Sequence, residues 1–106
     1  MKIALLCSGL GHVDRGHEIF ARDLFEMLKD SLDITLFKGG GKVATGERVI
    51  DNVPRNSPLL GEIKMAVSPK WASAAREQER IRVETETFAY AALKPLMEGT
   101  YDVIHC

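Results

Sequence analysis

Gly9, Gly11 and Gly16 are interleaved with His12, Arg15, His17 and Glu18 in the segment SGLGHVDRGHE, residues 8–18. That mixture suits the binding of an anion. Glycines let a ligand approach the backbone closely, and a helix beginning at the end of the segment would add unpaired N–H groups and the positive end of its dipole. A phosphate is the expected guest, with Gly9, Gly11 and Gly16 forming the loop. His12, Arg15 and Glu18 stand near enough in sequence to contact a substrate, and His17 is a further polar neighbour. Asp14 and Glu18 would oppose an anion if they faced the same pocket.

Two standard phosphate loops can be tested against these spacings. A dinucleotide fingerprint needs Gly-x-Gly-x-x-Gly and an acidic residue near the end of the second strand. Gly9 and Gly11 fit, but Asp14 occupies the third glycine position and the second strand-like run ends in Phe37-Lys38. A nucleoside triphosphate loop needs Gly-x-x-x-x-Gly-Lys-Ser/Thr. Gly11 and Gly16 have that separation, but His17 and Glu18 replace the lysine and the hydroxyl that would hold phosphate and magnesium. A metal site is not expected, because His12, His17 and Glu18 have no ligand spacing of a known kind.

The elements around the segment are those of a βαβ unit. Ile3-Ala4-Leu5-Leu6-Cys7 is a short apolar run that reads as a buried strand. Phe20, Leu24, Met27 and Leu28 then recur at helical spacing, while Glu18, Arg22 and Glu26 form i,i+4 pairs on a face read as solvated. Asp33-Ile34-Thr35-Leu36-Phe37 is a second strand, closed by Gly39-Gly40-Gly41. Val49-Ile50 suggests a short strand. Ser57-Pro58 and Ser68-Pro69 read as caps followed by proline at the first helical position, placing a short helix over residues 59–66 and a long one from Pro69. The long helix passes through Ala74, Ala75, Ile81, Phe88, Ala92 and Leu96, with a kink or restart at Pro95 and an end at Gly99. Its charged middle, residues 76–86, reads as a solvated face, and Trp71 and Tyr90 as packing or surface aromatics. Tyr101-Asp102-Val103-Ile104-His105-Cys106 reads as another buried strand.

With 106 residues and a formal net charge of −1, the chain has room for one domain and no basic excess to attract nucleic acid. The first apolar run is too short for a signal peptide or a bilayer span. The expected location is cytoplasmic, with the inner membrane surface as a working position and peripheral membrane contact as a partner mode left open. Cys7 and Cys106 each end an apolar run and are expected to be buried, reduced thiols rather than a bridge.

Met1-Lys2-Ile3-Ala4-Leu5, Ser8-Gly9-Leu10-Gly11-His12, Arg15-Gly16-His17-Glu18 and the later Asp33-Ile34-Thr35-Leu36-Phe37 together resemble the start of a glycosyltransferase of family 4. These are retaining, nucleotide-sugar-dependent enzymes of the two-domain GT-B fold. Gly16 and Glu18 match the second glycine and the glutamate of the family's Gly-Gly-x-Glu, and Arg15 replaces the first glycine. Tyr101-Asp102-Val103-Ile104-His105 is similar to the later Asp-Val-Ile-His-x-His strand, and His105 matches its first histidine. The match covers residues 1–41 and 99–106.

The resemblance implies an α/β, Rossmann-like, mostly parallel sheet with flanking helices. Residues 1–106 would be a truncated amino-terminal portion of the GT-B domain, without the carboxyl-terminal domain that binds the nucleotide sugar. It implies sugar transfer from a nucleotide-diphosphate donor to an acceptor hydroxyl in the complete enzyme, no further cofactor, and an inactive portion when alone. Two readings from other classes stand beside it. One is a stand-alone nucleotide or phosphometabolite binding module; the other is a non-catalytic interaction fragment that self-associates through an exposed sheet edge.

Overall fold

The computed structural model describes residues 1–60 and 69–106. Strand β1 (Lys2–Cys7) leads through the glycine turn to helix α1 (Gly16–Leu28) and then to β2 (Asp33–Lys38). A short strand β3 (Glu47–Val49), a 3-10 turn (Pro58–Leu60), the long helix α2 (Pro69–Gly99) and strand β4 (Val103–His105) complete the chain. The four strands form one sheet in the order β3-β2-β1-β4, and every pairing is parallel. Leu5 aligns with Leu36 on one side and His105 on the other. The fold class is therefore α/β, with a fully parallel sheet.

Strand alternation decides which helix each residue meets. Leu5, Cys7, Ile34 and Leu36 pack with Leu10, Ala21 and Phe25 under α1. Ala4 and Phe37 point the other way and pack with Ile50 and with Phe88 and Ala92 of α2. Helices thus cover both faces, and β1 and β2 read as continuous apolar runs because both of their faces are buried. Chain order runs outward from β1 through β2 to β3, then returns by α2 to β4 on the other side of β1. This makes the β1/β4 boundary a topological switch point, where open α/β sheets place their ligand crevice.

Several expectations change. On α1 the buried stripe is Glu18, Ala21 and Phe25, flanked by Leu24 and Leu28, whereas Phe20 and Met27 are 60% and 75% exposed. The spacing 18-21-25-28 satisfies helical periodicity as well as the stripe read from apolar residues alone. It was hidden because its first member is a glutamate. The charged middle of α2 is likewise divided. Arg82 makes exposed pairs with Glu79 and Glu86, but Glu84 is wholly buried.

Strand β4 is an edge strand, not a buried one, with Val103 and Ile104 41% and 52% exposed, and Cys106 is exposed while Cys7 is buried. Its start is tied to β1 by Lys2 N–H donating to the Asp102 carboxylate at 2.7 Å and Asp102 N–H donating to the Lys2 carbonyl at 2.8 Å. Helix α2 runs unbroken past Pro95. Its end uses Thr100 in the left-handed region, φ 50°, while Gly99 makes room for Tyr101, whose ring lies 2.3 Å from where a Cβ would sit. Tyr101 also packs edge-on against Phe37, 5.5 Å between centroids.

β3 begins before the expected Val49-Ile50, and Ile50 follows it into the core. The Ser68 cap, the Trp71 side chain and residues 61–66 of the expected short helix lie outside the described residues. Among the described residues no helix is long and apolar enough to cross a membrane.

Candidate functional site

A crevice of about 400 Å³ opens at the carboxyl end of β1, at the switch point. Leu6, Cys7 and Ser8 contribute from β1 and its turn; Arg15, His17 and Glu18 from the start of α1; and Ile81, Thr85, Phe88 and Ala89 from α2. Arg55, from the coil after β3, and Cys106 complete the wall. One side is apolar and the other carries opposed charges at close range.

The polar side is organised by two buried carboxylates around one guanidinium. Glu84 is 0% exposed and receives Arg55 Nε at 3.1 Å, Arg55 Nη2 at 2.7 Å and the Arg55 backbone N–H at 2.8 Å. The Ser8 hydroxyl also donates to it at 3.4 Å. Burial pushes the Glu84 carboxyl up, but hydrogen bonds from the Arg55 side chain and backbone outweigh it and hold the group below its ordinary value. Glu18, 2% exposed, accepts the Arg15 backbone N–H through Oε2 at 3.2 Å, as a capping-box glutamate does. Its Oε1 lies 3.6 Å from Arg55 Nη2, an ion pair outside hydrogen-bond reach. Burial, followed by the charge of Glu18, pushes the Cys7 thiol up, so this thiol is protonated and a poor nucleophile.

The three loop glycines prove to have different jobs. A Cβ on Gly9 would meet Glu18 Oε1 at 2.3 Å, so the space against Gly9 holds the chain's own carboxylate where a phosphate was expected. Gly11, φ 92°, presses on the Gly40 carbonyl, 2.0 Å from where its Cβ would be, and joins the β1–α1 turn to the turn after β2. A Cβ on Gly16 would meet no described residue within 4 Å. Of the three loop glycines, Gly16 is the one that leaves room beside it among the described residues.

The structure brings Arg15, His17 and Glu18 together in the crevice and takes His12 and His105 elsewhere. The His12 ring lies over Gly39 and Gly40, with Nε2 3.2 Å from Asn52 Oδ1, clamping two turns together. His105 belongs to the α1 face of β4, beside Ile3, Leu5, Leu24 and Leu28. Lys38, at the end of β2, is buried in an ion pair with Glu47 at 2.6 Å and also donates to the Lys42 carbonyl. Arg22 reaches the same Glu47 at 2.7 Å.

Sequence reasoning missed Arg55 and Glu84. A signal for Glu84 exists: with Ile81 three before it and Phe88 four after, it interrupts an apolar stripe, and a buried acid requires a cationic partner. Nothing local marks Arg55 as that partner. Among the described residues no group of three or more His, Cys, Asp and Glu is placed to hold a metal ion. Comparison of the chain with protein-family models, with curated proteins and with solved structures gives no match.

Proposed function

We propose that this chain is the amino-terminal, acceptor-side part of a retaining glycosyltransferase that uses a nucleotide-diphosphate sugar. The reading rests on the motif resemblance in residues 1–41 and 99–106, and one structural observation supports it most. A crevice at the β1/β4 switch point is walled by the first turn of α1, where the resemblance places the glycine and the glutamate of the family loop. Transfer requires a stabilised leaving diphosphate and an acceptor hydroxyl held against the anomeric carbon. In this proposal the diphosphate meets the outer edge of the α1 start, where Gly16 leaves space and Arg15 and His17 stand ready. The acceptor enters the crevice. The donor nucleotide is held mainly by a second domain, the protein works in the cytoplasm, and nucleic acid is not a partner.

The test is release of nucleoside diphosphate from a panel of nucleotide sugars by the product of the complete reading frame. Release with at least one donor is expected. Gly16→Val should lower it by about 100-fold to 1000-fold, the usual cost of one lost oxyanion-type donor, without loss of fold. Absence of release with every donor, or unchanged turnover in a folded Gly16→Val protein, overturns the proposal. Tight nucleotide binding without release would establish the binding-module reading instead.

A further inference from the structure

Arg55 engages Glu84 through Nε and Nη2, and among the described residues Nη1 has no partner. Among the described residues no buried side-chain nitrogen or oxygen lacks a hydrogen bond, so this unpaired Nη1 is not sealed in the interior, and Arg55 itself lines the crevice. Glu18 Oε1 is its neighbour in the same wall and has no hydrogen bond from a described residue either. A donor-only guanidinium and an acceptor-only carboxylate therefore stand side by side, each with capacity left.

We infer that Glu18 and Arg55 are a hydroxyl-recognition pair, and that the crevice selects a neutral polyhydroxy molecule, a sugar or polyol, carrying an apolar flank. A hydroxyl can donate to Glu18 Oε1 and accept from Arg55 Nη1, and adjacent hydroxyls can divide the two roles. An anion gains Arg55 and Arg15 but faces the buried charges of Glu18 and Glu84, while a cation gains those carboxylates but faces the two guanidiniums, so neither sign of charge is favoured outright. A purely apolar guest leaves both groups desolvated and unpaired, which is costly. Leu6, Ile81, Phe88 and Ala89 supply the surface for the C–H face of a ring or for an attached alkyl group. The inference takes the crevice as the acceptor site of the reading above, but its test reads binding alone, so the two fail separately.

The probes are hexyl glucoside, hexyl glucuronide and hexanol, titrated into the 106-residue chain carrying Ile104→Lys, a charge on the β4 edge and outside the crevice that keeps the chain monomeric, with detection by NMR. The glucoside should bind at least about tenfold more tightly than either of the others, shifting the signals of Glu18, Arg55 and Thr85. Glu18→Gln keeps the helix cap, since glutamine also serves at that position, and removes one charge. In this variant the glucoside and glucuronide should come within about threefold of each other. Ala89→Trp, at an exposed position of the apolar wall, should abolish glucoside binding with the fold intact, and it tests the site even if Glu18→Gln fails to fold. Glucoside binding without sugar transfer by the complete protein supports this inference while removing the transferase reading. Equal binding of glucoside and glucuronide by the chain with Glu18 in place, equal binding of hexanol, no binding up to 20 mM, or unaffected binding in Ala89→Trp overturns it.

Discussion

Gly9 and Glu18 touch across the turn between β1 and α1, so closely that a Cβ on Gly9 would lie 2.3 Å from the glutamate Oε1. The contact seats a charged group at the end of a buried strand. The glutamate cannot retreat easily, because its other oxygen accepts the Arg15 N–H and α1 packs tightly through Ala21 and Phe25.

Gly9→Ala should therefore destabilise the protein by about 1–3 kcal/mol, the usual range for overpacking a filled site. Gly11→Ala should cost more, because it combines a backbone clash 2.0 Å from the Gly40 carbonyl with a φ of 92°. Gly16→Ala, with no described residue within 4 Å, should stay within about 0.5 kcal/mol of the parent. Urea denaturation of the three variants gives the order directly. Equal losses at all three positions would remove the distinction between packed and open glycines.

Stability should fall in acid through two ion-paired carboxylates. Hydrogen bonds from Arg22, reinforced by Lys38, overcome burial and hold Glu47 down from 4.5 to about 2, and Glu84 is also held below its ordinary value by Arg55. A depressed folded-state pKa stabilises the fold above the unfolded value, and this contribution is lost as pH falls through the folded one. The loss for Glu47 thus spans pH 4.5 to about 2, and a shift of that size corresponds to about 3 kcal/mol. Lys38→Met leaves Glu47 with Arg22 alone, so it should cost about 1–3 kcal/mol at neutral pH and move the acid midpoint upward. Urea midpoints measured from pH 7 to pH 2 check both statements. A flat profile over that range would contradict them.

The open edge of β4 should make the chain self-associate at high concentration. Val103 and Ile104 are exposed there, and Tyr90, Leu93 and Met97 form an exposed stripe on α2 at 82%, 54% and 77%. Unpaired strand edges flanked by apolar surface template pairing between molecules. Sedimentation velocity should show a rising mean mass through the micromolar range, and Ile104→Lys should suppress it by placing a charge on the edge. A monomer at every concentration, or identical behaviour in Ile104→Lys, would count against this surface.

The sequence by itself determined β1, α1, β2 and α2, because each is written in a local pattern. β1 and β2 are unbroken apolar runs, and the start of α2 at Pro69 follows from fixed proline geometry. From these the α/β class and the parallel sheet followed, as did the gathering of Arg15, His17 and Glu18 at the first turn of α1. Only the tertiary structure decided that Glu18 is buried rather than solvated, that Gly9 serves Glu18, and that Gly11 serves Gly40.

It also decided that Arg55 and Glu84, 29 residues apart, meet in the wall of the crevice. The physical reason is that periodicity reports which residues share a face, but not which charge will lie opposite on another element. A charged residue in an apolar stripe is tolerated only when a distant partner neutralises it, and that partner is brought by topology. His12 and His105 show the converse. Their type suggested chemistry, but their neighbours, two glycine turns and an apolar strand edge, were fixed by loop packing and pleat parity, which became visible only once the sheet was assembled.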